Sequence, residues 1–314
     1  MNGQAGNLRK SGLNLKLQWN TILLLMGALL FSSSAPETEP STEVAVILSE
    51  GMWVQNRAPR IPEVIEIAGE IVPMELFGVK ESLDRELIVN TYHHSSTMLH
   101  FKRASRWFPV IEPILEAHGV PDDFKYLAII ESGLDQVVSP AGAAGFWQFM
   151  KGTAPRYGLN ITNEVDERYH VAKSTKAACL YLKEAHETFG SWALAAASYN
   201  MGMAGVKREL EEQKVESYWD LHLNSETARY VYRLLAIKAI FESPQSFGFS
   251  LDDQSLYEPH QTRTVWLTSS VSNLAEYAKE QGSNLKELKS LNPWLRKDQV
   301  WIADGDSMAI ALPL

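Results

Sequence analysis

From Trp107 to Glu242 apolar residues recur at helical spacing, and no stretch alternates long enough to supply a large sheet, so this part of the chain must be built from packed helices. Val110, Ile111, Ile114 and Leu115 share one side of a segment Trp107 to His118. Gly119 ends that segment, and Pro121-Asp122-Asp123 opens the next with the acidic first turn a helix dipole favours. Ser174 is expected to cap a helix running through Thr188, and Ser191 another through Tyr199, whose run of alanines lets neighbouring backbones approach closely. Lys151 to Tyr157 reads as a short helix and Asn163 to Tyr169 as a polar turn. Glu226 to Glu242 places Tyr230, Leu234, Ile237 and Phe241 on one buried face.

The flanks differ in kind. Residues 1–35 carry Arg9, Lys10 and Lys16, then the apolar run Ile22 to Phe31, then small residues, which is the order of a signal peptide and too short a run to favour a spanning helix. Residues 36–62 are rich in Pro, Ser, Thr and Glu and read as a tether with an extended piece near Val44 to Leu48. Residues 63–106 read as a helical extension. A Ser/Pro/Gln/Gly stretch at 243–262 is the expected linker. Beyond it, residues 263–314 read as strand, helix, helix, strand, with pieces at Thr264 to Leu267, Asn273 to Glu280, Asn284 to Leu291 and Ser307 to Leu312. The fold class expected is therefore mainly α, with a small βααβ unit at the C-terminus.

The net charge of -9 becomes more negative once the three basic residues of the leader are removed, which argues against an anionic polymer, nucleic acid included, as partner. The single cysteine, Cys179, lies among apolar neighbours and has no partner in the chain, so folding after export would proceed without a disulfide. No cysteine sits beside the leader to carry a lipid, and membrane contact is expected only through an uncleaved leader. His93, His94 and His100 cluster in the extension, but no other ligand pattern joins them, and solvated or capping roles are expected; no metal and no cofactor is implied.

The residue most in need of explanation is Glu131, which follows the apolar run Tyr126 to Ile130 at the C-terminal end of its helix. Desolvation and the helix dipole both favour its neutral form there, as a general acid at a glycosidic oxygen requires. The Gly/Ser/Ala-rich loop that follows leads to Phe146-Trp147-Gln148, two rings and an amide suited to lining a sugar cleft. Glycoside cleavage ordinarily uses a second carboxylate, and Asp135, Asp166 and Glu167 are available, but nothing in their setting singles one out. An isolated glutamate in such a place is also compatible with a capping or pairing role.

Four segments decide between these readings. Glu131-Ser132-Gly133-Leu134, Ser139 to Met150, Ala197 to Gly202 and Glu226 to Val231 resemble, in order and spacing, the motifs of the soluble lytic transglycosylase domain, with the interval from Glu131 to Ser139 about one residue shorter than usual. The resemblance implies a lysozyme-like α domain over 107–242 that cleaves the bond between N-acetylmuramic acid and N-acetylglucosamine in peptidoglycan strands. Glu131 would serve as acid and then as base, closing a 1,6-anhydro ring with help from the substrate's acetamido group. It further implies substrate contacts from Ser139, Gln148, Tyr199 and Asn200, with Tyr230 close to Glu131. Trp147 is expected to pack rather than stack, and Glu226 to be structural. Asn273 to Ala278 with Gly282 to Pro293 resembles a lysin-motif module, a βααβ fold that binds glycans, although Ser269 to Ser272 replaces its usual Gly-Asp turn. A muramidase on the same fold, or a non-catalytic glycan-binding protein of the envelope, would carry much the same sequence.

Overall fold

A computed structural model describes residues 57–314; the leader, and the tether up to residue 56, lie outside the described residues. Among the described residues the architecture is mainly α with a small strand-containing unit at the C-terminus, as the helical spacing requires. A two-residue hairpin, β1 (Glu66–Ile67) and β2 (Glu70–Ile71), comes first, and the Asp123 carboxylate accepts the N–H of Ala68 at its turn. Helix α1 (Val79–Tyr92) follows, then α2 (His94–Ala117).

Helix α2 is longer than its sequence suggests. It runs unbroken across residues 106 and 107, where a separate helix was expected to begin, because Phe101 and Ala104 continue the buried face that Ile111 and Leu115 complete. Pro109 and Pro113 lie inside it, and burial of that face offsets the main-chain bonds they remove. A 3₁₀ turn at Asp122–Phe124 leads into α3 (Lys125–Ser132), which Gly133 ends in the left-handed region.

Helix α4 (Val171–Phe189) starts three residues before Ser174. Ser174 is therefore not its cap: it is fully buried, and its hydroxyl donates to the His170 carbonyl, while the His170 ring occupies the capping position. Ser191 does cap α5 (Trp192–Met201), accepting from the Leu194 N–H at 3.3 Å, and the Glu70 carboxylate accepts two further N–H groups of the same first turn. Helix α6 (Met203–Gln213) follows. Helix α7 (Thr227–Glu242) then buries Tyr230, Leu234 and Ile237 through the centre of the domain and packs against α1, α3 and α5.

Beyond a set of short turns, β3 (Thr262–Leu267) pairs antiparallel with β4 (Met308–Pro313), with Thr262 opposite Pro313 and Leu267 opposite Met308. Between them stand α8 (Leu274–Glu280) and α9 (Leu285–Leu291), each started by an asparagine whose side chain accepts main-chain N–H bonds, Asn273 and Asn284. The core of this unit also takes in Ala144, Val165 and Tyr169 from the helical domain.

Candidate active site

Glu131 is the last residue but one of α3, and it borders a cavity of about 720 Å³. Ser132, Gly133 and Val137 continue that wall. Asn90 and His93 come from the end of α1, Ser96, His100 and Arg103 from α2, and Glu226, Arg229 and Arg233 from the other side. The cavity is thus closed by the helices that precede Trp107 as well as by those that follow it.

Burial pushes the Glu131 carboxyl up from its ordinary value to about 7. The Tyr230 hydroxyl, which donates to Oε1, and the Arg233 guanidinium oppose that rise, and the Glu226 carboxylate adds to it. Tyr230 itself is held well above the usual tyrosine range, first by burial and then by Glu131, so it remains a hydrogen-bond donor at any working pH. The group at the cavity edge is an acid that exchanges its proton near neutrality, with a fixed donor to steady the anion.

The other carboxylates considered as partners are occupied. Asp135 pairs with Arg103 at 2.8 Å, Asp166 with Arg168 at 2.7 Å, and Glu167 with Lys173. Glu86, only 1 % exposed, is clasped by Arg229 through Nε at 2.7 Å and Nη2 at 3.1 Å. Glu226 remains: it lines the cavity, is exposed, and accepts from the Asn200 amide at 3.1 Å.

The residues expected to touch substrate divide into three groups. Tyr230 meets Glu131 from below, and Tyr199 is near enough for Glu131 to raise its hydroxyl further, after burial; that hydroxyl donates to the Trp147 carbonyl at 2.8 Å. Asn200 ties α5 to the start of α7, because its amide donates to Glu226 and its carbonyl accepts from the Thr227 hydroxyl at 2.7 Å. Ser139 and Gln148 belong to the loop beyond Val137 and do not border the cavity. The Ser139 hydroxyl accepts the Ala143 N–H within its own turn at 3.0 Å. The Gln148 amide nitrogen donates to the Val137 and Gly145 carbonyls, which fixes its orientation and leaves its oxygen as the end directed elsewhere.

Phe146 and Trp147 do not line a sugar cleft, as the segment read by itself suggested, since they are 1 % and 0 % exposed; Phe146 sits edge-on to Trp107, and Trp147 packs as expected, its N–H donating to the Thr175 hydroxyl at 2.9 Å. Apolar burial of two large rings wins over display. What reading the sequence missed is Arg229, Arg233 and Glu86. The signal was present at the start of α7, where Glu226 at its cap and then Tyr230 and Arg233 recur at helical spacing as a polar stripe on a helix otherwise apolar on that side. Among the described residues no group of three or more His, Cys, Asp or Glu is placed to hold a metal ion, and His93, His94 and His100 stay apart from any such group. Burial pushes the Cys179 thiol up to about 12, so it remains an uncharged core group.

Residues 109–222 match the family model of the transglycosylase SLT domain, and residues 263–314 that of the soluble lytic transglycosylase C-terminal LysM-like domain. The membrane-bound lytic murein transglycosylase D of Escherichia coli is 29% identical over 261 residues, covering 80% of this chain and 56% of that protein. A putative tributyltin chloride resistance protein of an Alteromonas species is 28% identical over 120 residues, covering 38% of this chain and 58% of that one. The chain spans a little over half the length of these curated relatives. The solved lytic transglycosylase Slt of Pseudomonas aeruginosa, in an inactive mutant, is 18% identical, with a TM-score of 0.37 over 57% of this chain and 35% of its own, too loose a likeness to carry an argument. This chain thus carries an SLT domain followed by a LysM-like domain.

Proposed function

We propose that this protein is a lytic transglycosylase that cleaves the bond between N-acetylmuramic acid and N-acetylglucosamine in peptidoglycan, leaving a 1,6-anhydro product. The observation that carries this reading is the state of Glu131: a carboxyl titrating near 7 at a cavity edge, bonded to Tyr230, while Asp135, Asp166 and Glu167 are all tied to cations. Glu131 in its neutral form gives its proton to the glycosidic oxygen as the C1–O bond breaks. The anion it becomes takes the proton of the muramic acid C6 hydroxyl, whose oxygen then bonds to C1 and closes the ring. The glutamic acid is restored and no water is consumed. The acetamido group of the substrate shares the positive charge between the two steps, which removes the need for a protein nucleophile. Tyr230 and Arg233 stabilise the carboxylate in that interval.

Ser139 and Gln148 contact sugar from the loop beside the cavity, through the Ser139 hydroxyl proton and the Gln148 amide oxygen. Tyr199 and Asn200, which do not border the cavity, act through the Trp147 carbonyl and the Glu226 carboxylate that they hold. In the C-terminal unit, Trp266, 62 % exposed, borders a hollow of about 370 Å³ with Ser269 to Asn273 and Tyr277, a surface chemistry suited to stacking on a sugar face. The substrate places the protein in the cell envelope, in keeping with the export signal read over residues 1–35.

Glu226 supports a second reading. A second carboxylate lining the same cavity as Glu131 is what an inverting muramidase would use to activate its water. Mass spectrometry of digested sacculi separates the two: muropeptides ending in anhydro sugar, lighter by one water, are expected, and reducing-end products would replace the transglycosylase reading by the hydrolytic one.

A further inference from the structure

The loop 136–149, which holds Ser139 and Gln148 beside the cavity, has turns and bridges of its own, Val138 with Ala144 and Ala144 with Phe149, and Phe146 and Trp147 root its far end in the helical core. Its near part, which those two rings do not reach, is held from residues 160–170. Arg168, 8 % exposed, is fixed by a forked contact with Asp166 and donates from Nη1 to the Gly142 carbonyl at 2.9 Å and the Phe149 carbonyl at 3.1 Å, tying the middle of the loop to its last residue. Gln136 donates to the Tyr169 carbonyl at 2.9 Å. Gly145 passes so close that a Cβ there would lie 1.9 Å from the Arg168 carbonyl oxygen, so loop and support fit without tolerance for a side chain.

That support is in turn gripped by the C-terminal unit. Val165 and Leu295 form an antiparallel bridge, flanked by Asp166 N–H to the Trp294 carbonyl at 2.9 Å and Arg296 N–H to the Glu164 carbonyl at 2.6 Å. Trp294 stacks on His170, and the Arg296 guanidinium lies 4.2 Å from the Tyr169 ring centre. Ala144, from the loop itself, is buried in the core of that unit. The contacts run without a gap from the C-terminal unit, through Asp166 and Arg168, to the loop.

From this geometry we infer that the LysM-like unit braces the substrate loop from within the molecule, with Arg168 as the positioning residue that transmits its docking to Ser139 and Gln148. The unit's docked face, Trp294 to Arg296, is separate from Trp266, which stays open to solvent. The inference rests on the proposed reading only in taking 136–149 as a substrate loop; the brace is a physical claim that can be tested without any substrate.

The test uses the full chain and hydrogen exchange at the amides of Ala143, Ala144 and Gly145. Arg296→Glu leaves the module core intact, because that side chain is exposed. It is expected to speed exchange in the loop about tenfold, to raise KM about threefold and to leave kcat within about twofold, with exchange in α6 unchanged. Arg168→Gln should speed loop exchange more. A Val165→Cys/Leu295→Cys pair, oxidised, should slow loop exchange relative to its reduced form, and it decides the matter if Arg168→Gln does not fold. The inference is overturned if Arg296→Glu speeds exchange only within 262–314, or if oxidation of the cysteine pair leaves the loop unchanged. A wild-type chain inert on peptidoglycan would sink the proposed function and leave the exchange result to decide the brace.

Discussion

The wall of the cavity holds two sheltered carboxylates in opposite circumstances. On α1, Glu86 is buried and clasped by a guanidinium, with Arg85 adding a second at 3.0 Å. On α3, Glu131 has a tyrosine hydroxyl as its side-chain hydrogen-bond partner, and burial lifts it to about 7. A buried acid clasped by guanidinium groups serves as structure. One held only by a neutral donor can change charge near neutral pH, and this is the property chemistry needs.

Substitutions at each carboxylate and its partners test that contrast. The largest effect is expected from Glu131→Gln, which should lower kcat by about a thousandfold or more while the fold persists. Because the folded carboxyl titrates above its ordinary value, the wild type is stabilised by the bound proton below that value and loses the stabilisation as pH rises through about 7. Glu131→Gln should therefore melt higher than wild type at pH 8.5, on the order of 2 kcal/mol, with the gap closing toward pH 5. A melting difference that did not vary with pH would erase the distinction between the two carboxylates.

Tyr230→Phe is next. It removes the bond that most lowers the Glu131 value, so the alkaline limb of the rate profile should move up in pH as kcat falls by about 10- to 100-fold. Glu86→Gln should act on stability instead, costing about 1–2 kcal/mol by calorimetry, a figure reduced because Arg229 is partly open to water. Its rate profile against pH should match wild type, and a displaced limb would mean that Glu86 belongs to the chemistry. The smallest shift is expected from Arg233→Gln: loss of the guanidinium should raise the alkaline limb by less than about one pH unit.

The helical framework and Glu131 were legible from periodicity and from an acid placed at the end of an apolar run. Tyr230 was legible only through a resemblance, since a tyrosine on a buried helix face ordinarily reads as core. The orientation of Phe146 was not legible, because an aromatic ring suits a cleft and a core equally and only packing against Trp107 decides. Asp166 and Arg168 looked like a polar turn; they are buried because Arg168 meets the loop 136–149 and the Asp166 main chain meets Trp294 of the distant C-terminal unit. The far wall of the cavity was hidden for a related reason: α1 reads locally as an unremarkable helix, and its role comes from docking on α7.

That docking joins distant parts of the chain. Glu86 and Arg229 stand 143 positions apart, and Glu131 and Tyr230 are 99 apart. Such pairings close late, since the entropy of the intervening chain must be lost before either contact forms. A ribosome that has not yet released α7 holds a chain with neither its fixed donor nor its far wall. The cleft is thus assembled at the end of synthesis or after it, and a truncated product ending anywhere before residue 227 would have a glutamate in place but no pocket around it.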